Sequence, residues 1–172
     1  HAARLAVCPA DIAARGEGIE LVSHIASYNY EGGKLAAVPI VEALGGKAVV
    51  DGSDVSNWKA AGELIQKAID TFGRLDVLVN AAGNTQRWSV ENTTVDAYYQ
   101  MFDVNVKAPL FLMQKAAAAM PNGGCIINIS SMLAYGGPPD IGIYAASKAA
   151  LNGLSKNAAN AFKGKGIRVN CI

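Results

Sequence analysis

The chain reads as an α/β protein, a doubly wound parallel sheet with helices on both faces. Three observations predict it. Short apolar runs alternate with longer segments of helical periodicity, the rhythm that a parallel sheet and its crossover helices require. The apolar runs are apolar throughout, which fits strands buried on both faces. Ser131 closes one such run, at the carboxyl end of a strand, where folds of this class gather their ligands.

The rhythm is clear from Ala43 onward. Lys47-Ala48-Val49-Val50 follows Gly45-Gly46 and reads as a strand. From Asn57 to Phe72, the residues Trp58, Ala61, Leu64, Ile65, Ala68, Ile69 and Phe72 recur at three- and four-residue spacing, which predicts a helix that Gly73 stops. Leu75 to Val79 is an apolar strand with one early acid, Asp76. Thr93 to Met120 reads as one short helix and one long one, ended by Pro121-Asn122-Gly123-Gly124. A strand over Cys125 to Ile129 follows, then a long helix from Ile143 to Phe162, then Gly164-Lys165-Gly166 and a last strand from Ile167 to Ile172.

Before Ala43 the pattern is thinner. Leu5-Ala6-Val7 reads as one strand and Ile25 to Asn29 as another, with Glu31 to Leu44 as its helix, in which Pro39 marks a kink or a break. Gly16-Glu17-Gly18 is the one Gly-x-Gly in this stretch. No repeat, low-complexity tract or linker divides the chain, so residues 1–172 are expected to form a single domain. The chain opens on His1 and ends at Ile172 inside an apolar run, so that domain is expected to be part of a longer one, with its sheet incomplete at the C-terminus.

Composition narrows the function. About half of the 172 residues are apolar, enough for a sizeable core. Fifteen basic and fourteen acidic residues leave a net charge of +1, which argues against nucleic acid or a membrane surface as partner. No apolar run reaches the ~18 residues of a membrane span, and no charged start precedes an apolar block as in a secretory signal. Cys8, Cys125 and Cys171 are far apart and outside any Cys-x-x-Cys pair; they read as free thiols in a reducing, cytoplasmic setting. His1 and His24 are the only histidines, so neither a zinc site nor a Ser-His-Asp triad is expected.

Tyr144 and Lys148 stand four residues apart in Tyr144-Ala145-Ala146-Ser147-Lys148 and so share one face of a helix. Ser131 lies thirteen residues before Tyr144. A free phenol has a pKa near ~10, and an adjacent ammonium favours its phenolate. The trio therefore suggests a phenol used as acid and base, with a serine hydroxyl bonding the substrate oxygen.

Asn80-Ala81-Ala82-Gly83, Asn105, Ser131 and Tyr144-Ala145-Ala146-Ser147-Lys148, in that order, resemble the signature of the classical short-chain dehydrogenase/reductase family. The resemblance runs from roughly Ala43 to Ile172. It implies a Rossmann-like dinucleotide-binding domain that also carries the catalytic residues, using NAD(P)(H) on a small-molecule alcohol or carbonyl substrate. Tyr144 is then the general acid or base, Lys148 its neighbour and a ligand of the nicotinamide ribose, Ser131 the group that fixes the substrate oxygen, and Asn105 the support of a water-linked proton relay. Ser130 competes for the serine role, and the spacing favours Ser131. Asn80, Ala81, Ala82 and Gly83 line the cofactor, with Ala81 where the family more often has a second asparagine. Asp54 and Val55 resemble the adenine-binding pair, and they also suit the N-terminal cap of the helix at Trp58. Lys34, Lys47 and Lys59 read as solvated. The helices Asn105 to Met120 and Ile143 to Phe162 would form the interface of a homotetramer or homodimer, with Ala116 to Ala119 and Ala149-Ala150 small enough for close contact.

One segment departs from the family. Its glycine-rich turn, Thr-Gly-x-x-x-Gly-x-Gly, belongs near Val7 to Arg15, where Pro9 and Asp11 stand and no glycine occurs. Either this segment is not the loop, or the loop is lost, or the sequence is altered here. With the second strand at Ile25 to Asn29, no acid stands at its tip, which leans towards NADP(H); with that strand at Leu5 to Cys8, Asp11 could bind the ribose of NAD. Two functions follow: an NAD(P)-dependent oxidoreductase interconverting a secondary alcohol and a ketone, or a non-catalytic fragment or scaffold lacking a working cofactor loop.

Overall fold

Six parallel strands form one sheet in the order β3-β2-β1-β4-β5-β6 among the described residues. A computed structural model describes residues 4–8, 20–24, 42–43 and 45–172. The strands are β1 (Arg4–Cys8), β2 (Glu20–His24), β3 (Lys47–Asp51), β4 (Val77–Asn80), β5 (Gly124–Asn128) and β6 (Ile167–Cys171). The helices are α1 (Trp58–Phe72), α2 (Val95–Phe102), α3 (Ala108–Ala119) and α4 (Gly142–Phe162). Strand order reverses between β1 and β4, which pair from Leu5 with Val77 to Cys8 with Asn80. That reversal opens a crevice at the carboxyl ends of the two strands.

Local chemistry sets the helix ends. Asn57 caps α1 by accepting from the Lys59 N–H at 3.1 Å. Gly73 ends it in the left-handed region at φ 79°, donating to Ile69 O at 2.6 Å. Leu64, Ile65, Ala68 and Phe72 form the buried stripe that meets α3 and the sheet. Trp58, expected in that stripe, is 53% exposed, because the first turn lies at the core's edge and its ring rests on Phe111 at 6.3 Å.

The stretch from Thr93 to Met120 holds the short helix and the long one expected, joined without a break. Thr94 caps α2 by accepting from Ala97 N at 3.1 Å. The chain then passes through a π-helical turn, Asp103–Lys107, straight into α3. Pro109 lacks an N–H and cannot donate to the carbonyl of Asn105 four residues back, so the α-helical ladder is interrupted at that point.

The core sits where α1, α3 and α4 meet the sheet. Leu78, Leu112, Met113, Ala116, Met120 and Ile126 are almost wholly buried. Ala116 and Ala117, expected at a subunit interface, belong to this internal core, whereas Ala118 and Ala149 are exposed. The starts of β5 and β6 touch. Gly123, at φ 82°, lies so close to Gly166 that a Cβ there would stand 2.7 Å from its carbonyl oxygen.

The expected strand at Leu5-Ala6-Val7 is β1. The second strand is Glu20–His24, hydrogen-bonded to both β1 and β3, and so precedes the expected Ile25 to Asn29. Residues 25–29, Gly16-Glu17-Gly18, Pro39 with most of the helix expected over Glu31 to Leu44, and residues 9–15 of the expected phosphate loop lie outside the described residues.

Asp51 ends β3 and ties it to α1. Lys67 Nζ lies 2.6 Å from Asp51 Oδ2, and the Ser53 N–H donates to Oδ1 at 2.8 Å. Burial raises the Asp51 carboxyl, but the bonds from Lys67 and Ser53 outweigh it and hold the pKa at about 2. The depressed pKa stabilises the fold fully above pH ~4, and that contribution disappears as pH falls through 2. Asp51→Asn is expected to cost about 1 kcal/mol at neutral pH, allowing for solvent screening. Urea unfolding at a series of pH values should show the two proteins converging near pH ~2; a difference that does not narrow on acidification would refute this.

Candidate active site

The floor of the crevice is Asn80, the last residue of β4 and 4% exposed. Its Nδ2 donates to Asn128 Oδ1 at 2.7 Å, and its carbonyl accepts from Ile129 N at 2.9 Å. Among the described residues nothing donates to Asn80 Oδ1. A buried acceptor left open at a switch point suits a polar ligand. Beyond Asn80 the chain turns through the half-buried Ala81 and Ala82 to the exposed Gly83. A Cβ on Gly83 would stand 3.7 Å from both Asn105 Oδ1 and Lys148 Nζ. The missing side chain leaves a cradle between these two polar groups.

Asn105 lies in the π-turn and is wholly buried. Its Oδ1 accepts from Asn84 N at 2.7 Å and its Nδ2 donates to Asn84 O at 2.9 Å, clamping the segment after β4. The same Nδ2 donates to Ser147 Oγ at 2.9 Å, and the Ser147 hydroxyl donates to Tyr144 O at 2.7 Å. One amide therefore joins the β4 turn to the first turns of α4.

Lys148 is the most constrained charge in the crevice. It is 5% exposed, its Nζ donates to Ile129 O at 2.8 Å, and it lies 5.8 Å from the centroid of the Tyr144 ring. Burial pushes its ammonium below the usual lysine value, with Cys171 opposing the shift. Ser131 is half-buried at the end of β5. Its Oγ accepts from Leu133 N at 3.2 Å, capping the short 3₁₀ turn Met132–Tyr135, which packs on α4. The hydroxyl proton stays free to donate elsewhere. Ser130, the rival, gives its N–H to Ile172 O at 2.6 Å and so extends the β5–β6 ladder.

The structure therefore gathers Asn80, Gly83, Asn105, Tyr144 and Lys148 in one place, with Ser131 on the adjoining turn. Val55 is buried and, with Asn80, Ala82 and Val104, lines a shallow apolar depression beside them. Asp54 stays on the exposed rim. Its carboxylate accepts from Ser56 N at 2.9 Å and from Ser56 Oγ at 2.8 Å, and its carbonyl from Asn57 N at 3.1 Å, which is the helix-start geometry. Arg87, in the segment after β4, pairs with Asp140 just before α4. Ser147, Asn128 and Ser155 were not singled out from sequence. The available signal was an asparagine inside the apolar run Cys125-Ile126-Ile127-Asn128-Ile129. Among the described residues there is no cluster of metal-ligating side chains, and no helix is long and apolar enough to cross a membrane.

Comparison with known proteins follows the same lines. Residues 11–172 match the family model described as enoyl-(acyl carrier protein) reductase. An uncharacterised oxidoreductase of Methylorubrum extorquens is 40% identical over 147 residues, covering 84% of this chain and 59% of its own length. The 3β-hydroxysteroid dehydrogenase of Mediterraneibacter gnavus is 37% identical over 139 residues, covering 80% of this chain and 50% of its own. The crystal structure of a metagenomic blue fluorescent protein in complex with NADPH superposes with a TM-score of 0.82 at 34% identity, covering 90% of this chain and 63% of that one. The chain spans between 54% and 62% of the length of three curated relatives it matches. It belongs to the short-chain dehydrogenase/reductase family.

The Lys148 ammonium is costly to bury. Its pKa is depressed in the folded state, so the unfolded chain holds the proton more tightly and the penalty is present at neutral pH. The penalty shrinks as pH rises towards the ordinary lysine value near ~10.4. Lys148→Met is expected to raise the melting temperature at pH 7, with the gain fading at alkaline pH. Calorimetry of both proteins checks it, and a lower melting temperature for the variant at pH 7 would contradict it.

Proposed function

We propose that the protein is an NAD(P)-dependent oxidoreductase that interconverts a secondary alcohol and a ketone, with residues 1–172 forming one dinucleotide-binding domain. The observation that carries this is Lys148: an almost fully buried ammonium held by a strand-end carbonyl, beside a phenol and the Gly83 cradle. Such a charge is expensive to bury unless it serves a ligand. The relative in complex with NADPH supports the cofactor class.

When bound, the nicotinamide cofactor supplies or accepts the hydride. Asn80, Ala81, Ala82 and Gly83 form its floor, where small side chains let the backbone come close. Val55 lines the apolar edge for the adenine, and Asp54 stands at its rim. Lys148 donates to ribose hydroxyls with the protons not given to Ile129 O. The Tyr144 hydroxyl passes the proton to a carbonyl oxygen, or takes it from an alcohol. Ser131, with its lone pair held by Leu133 N, donates to the same oxygen and fixes its position. Asn105 holds the Gly83 segment and α4 in register and supports a water-linked relay beside Lys148. NADP(H) is the preferred form, because the sequence that follows β2, Ile25 to Tyr30, holds no acid that would repel a 2′-phosphate. The functional unit is a homodimer or homotetramer built on the exposed faces of α3 and α4.

Tyr144→Phe is expected to lower kcat by at least ~10²-fold while leaving the melting temperature and cofactor affinity unchanged. Near-normal turnover in the variant would remove Tyr144 from its role. Gly83→Val fills the cradle, and fluorescence titration should show NADPH affinity lost with the fold intact. Failure of the unmodified, folded chain to bind either NADPH or NADH would instead favour a non-catalytic scaffold.

A further inference from the structure

We infer that Asn128 and Ser155 are positioning residues that set the rotation of α4 and so aim Tyr144 and Lys148; the inference rests on the oxidoreductase function proposed above. Asn128 is wholly buried on β5, and Ser155 is 3% exposed on α4. Asn128 Nδ2 donates to Ser155 Oγ at 2.8 Å, and the Ser155 hydroxyl donates to Leu151 O at 2.7 Å. Asn128 Oδ1 is taken by Asn80 Nδ2 at 2.7 Å, and the second Nδ2 proton faces Met113 Sδ at 3.3 Å. Asn128 and Ser155 are fully engaged, and with Asn80 they form one hydrogen-bonded line. It runs from the floor of the crevice, through the strand, into the helix that carries the acid and base.

Its place on the helix is what gives it a function. Ser155 lies eleven residues after Tyr144 and seven after Lys148. At ~100° per residue, Tyr144, Lys148, Leu151 and Ser155 fall within about 60° of arc, so one stripe holds the reacting groups and the anchor. The upper end of α4 carries a twin of the same bond: Asn105 Nδ2 to Ser147 Oγ, with Ser147 donating to a helix carbonyl. Two buried Asn–Ser pins about two turns apart fix the helix in rotation and along its axis. Apolar contacts between smooth faces tolerate a few degrees of roll, whereas a hydrogen bond weakens steeply once bent. A leucine and an alanine would fill this part of the core without the desolvation cost of two polar side chains.

Ser155→Ala removes the lower pin and little volume. Ile65→Val, on α1 and away from the line, serves as a control of comparable instability. In Ser155→Ala, kcat is expected to fall about tenfold with NADPH Kd and substrate KM within about twofold, while the control keeps its kcat. Amide hydrogen exchange over residues 142–148 is expected to accelerate about tenfold in Ser155→Ala and to stay unchanged in the control. Equal kcat and equal exchange in the two variants would overturn the inference. If the unmodified protein turns over no alcohol or ketone, the proposed function fails, and the exchange rates alone decide: faster exchange upholds the pin, unchanged exchange removes it. Should Ser155→Ala not fold, Ser155→Cys, close in size but weaker as donor and acceptor, takes its place in the same comparison.

Discussion

The pairing of β4 with β5, carried to the last residue of each strand, is the interaction on which the crevice depends. Ile129 N on Asn80 O closes the backbone ladder, and the Asn80–Asn128 amide bond closes it again between side chains. Two chain segments leave the sheet at this point. One runs through Gly83 to Asn84, where Asn105 clamps it, and the other runs through Ile129 to Ser131. Lys148 then reaches the Ile129 carbonyl from the helix above. A slip of either strand would move the cradle, the serine and the lysine's acceptor together, because all are referred to the same ladder.

Among the described residues, the buried polar side chains gather on the helix side of this ladder. Asn80, Asn105, Asn128, Ser147, Lys148 and Ser155 are each at least nine-tenths buried, in a core otherwise made of apolar side chains. Such groups cost stability unless they are bonded, and every side-chain oxygen among them but one has a hydrogen-bond partner. The exception is Asn80 Oδ1, which faces no donor among the described residues. The fold thus concentrates its unfavourable terms at the site and draws its stability from the α1–α3 side of the core, which is apolar throughout.

The π-turn shows how backbone chemistry serves the same end. An α-helix with a proline four residues after Asn105 must lose one rung, and the turn at Asp103–Lys107 absorbs that loss in mid-helix. The widened turn sits where Asn105 meets both Asn84 and Ser147. An irregularity that would be a defect elsewhere here places one amide against two chain segments.

The sequence by itself determined the class of fold and singled out the side chains proposed to react. Period and run length decide which segments become helix or buried strand, and these are local properties: Leu64, Ile65, Ala68 and Phe72 point to one side of a helix wherever it is placed. The pair Tyr144 and Lys148 was legible for the same reason, since four residues on a helix always share a face. The N-terminal strands were harder to place. Glu20–His24 is a strand because β1 and β3 flank it, and flanking strands are a tertiary fact. Trp58 matched the helical period yet lies half outside, because exposure depends on where the neighbouring elements end. The Ala116–Ala117 pair looked like an interface and turned out to be core, because small residues suit either. Above all, Asn128 and Ser155 are an ordinary strand residue and an ordinary helix residue until the fold brings them within 2.8 Å. Hydrogen bonds between elements far apart in sequence leave no periodic trace, and only the tertiary structure decided them.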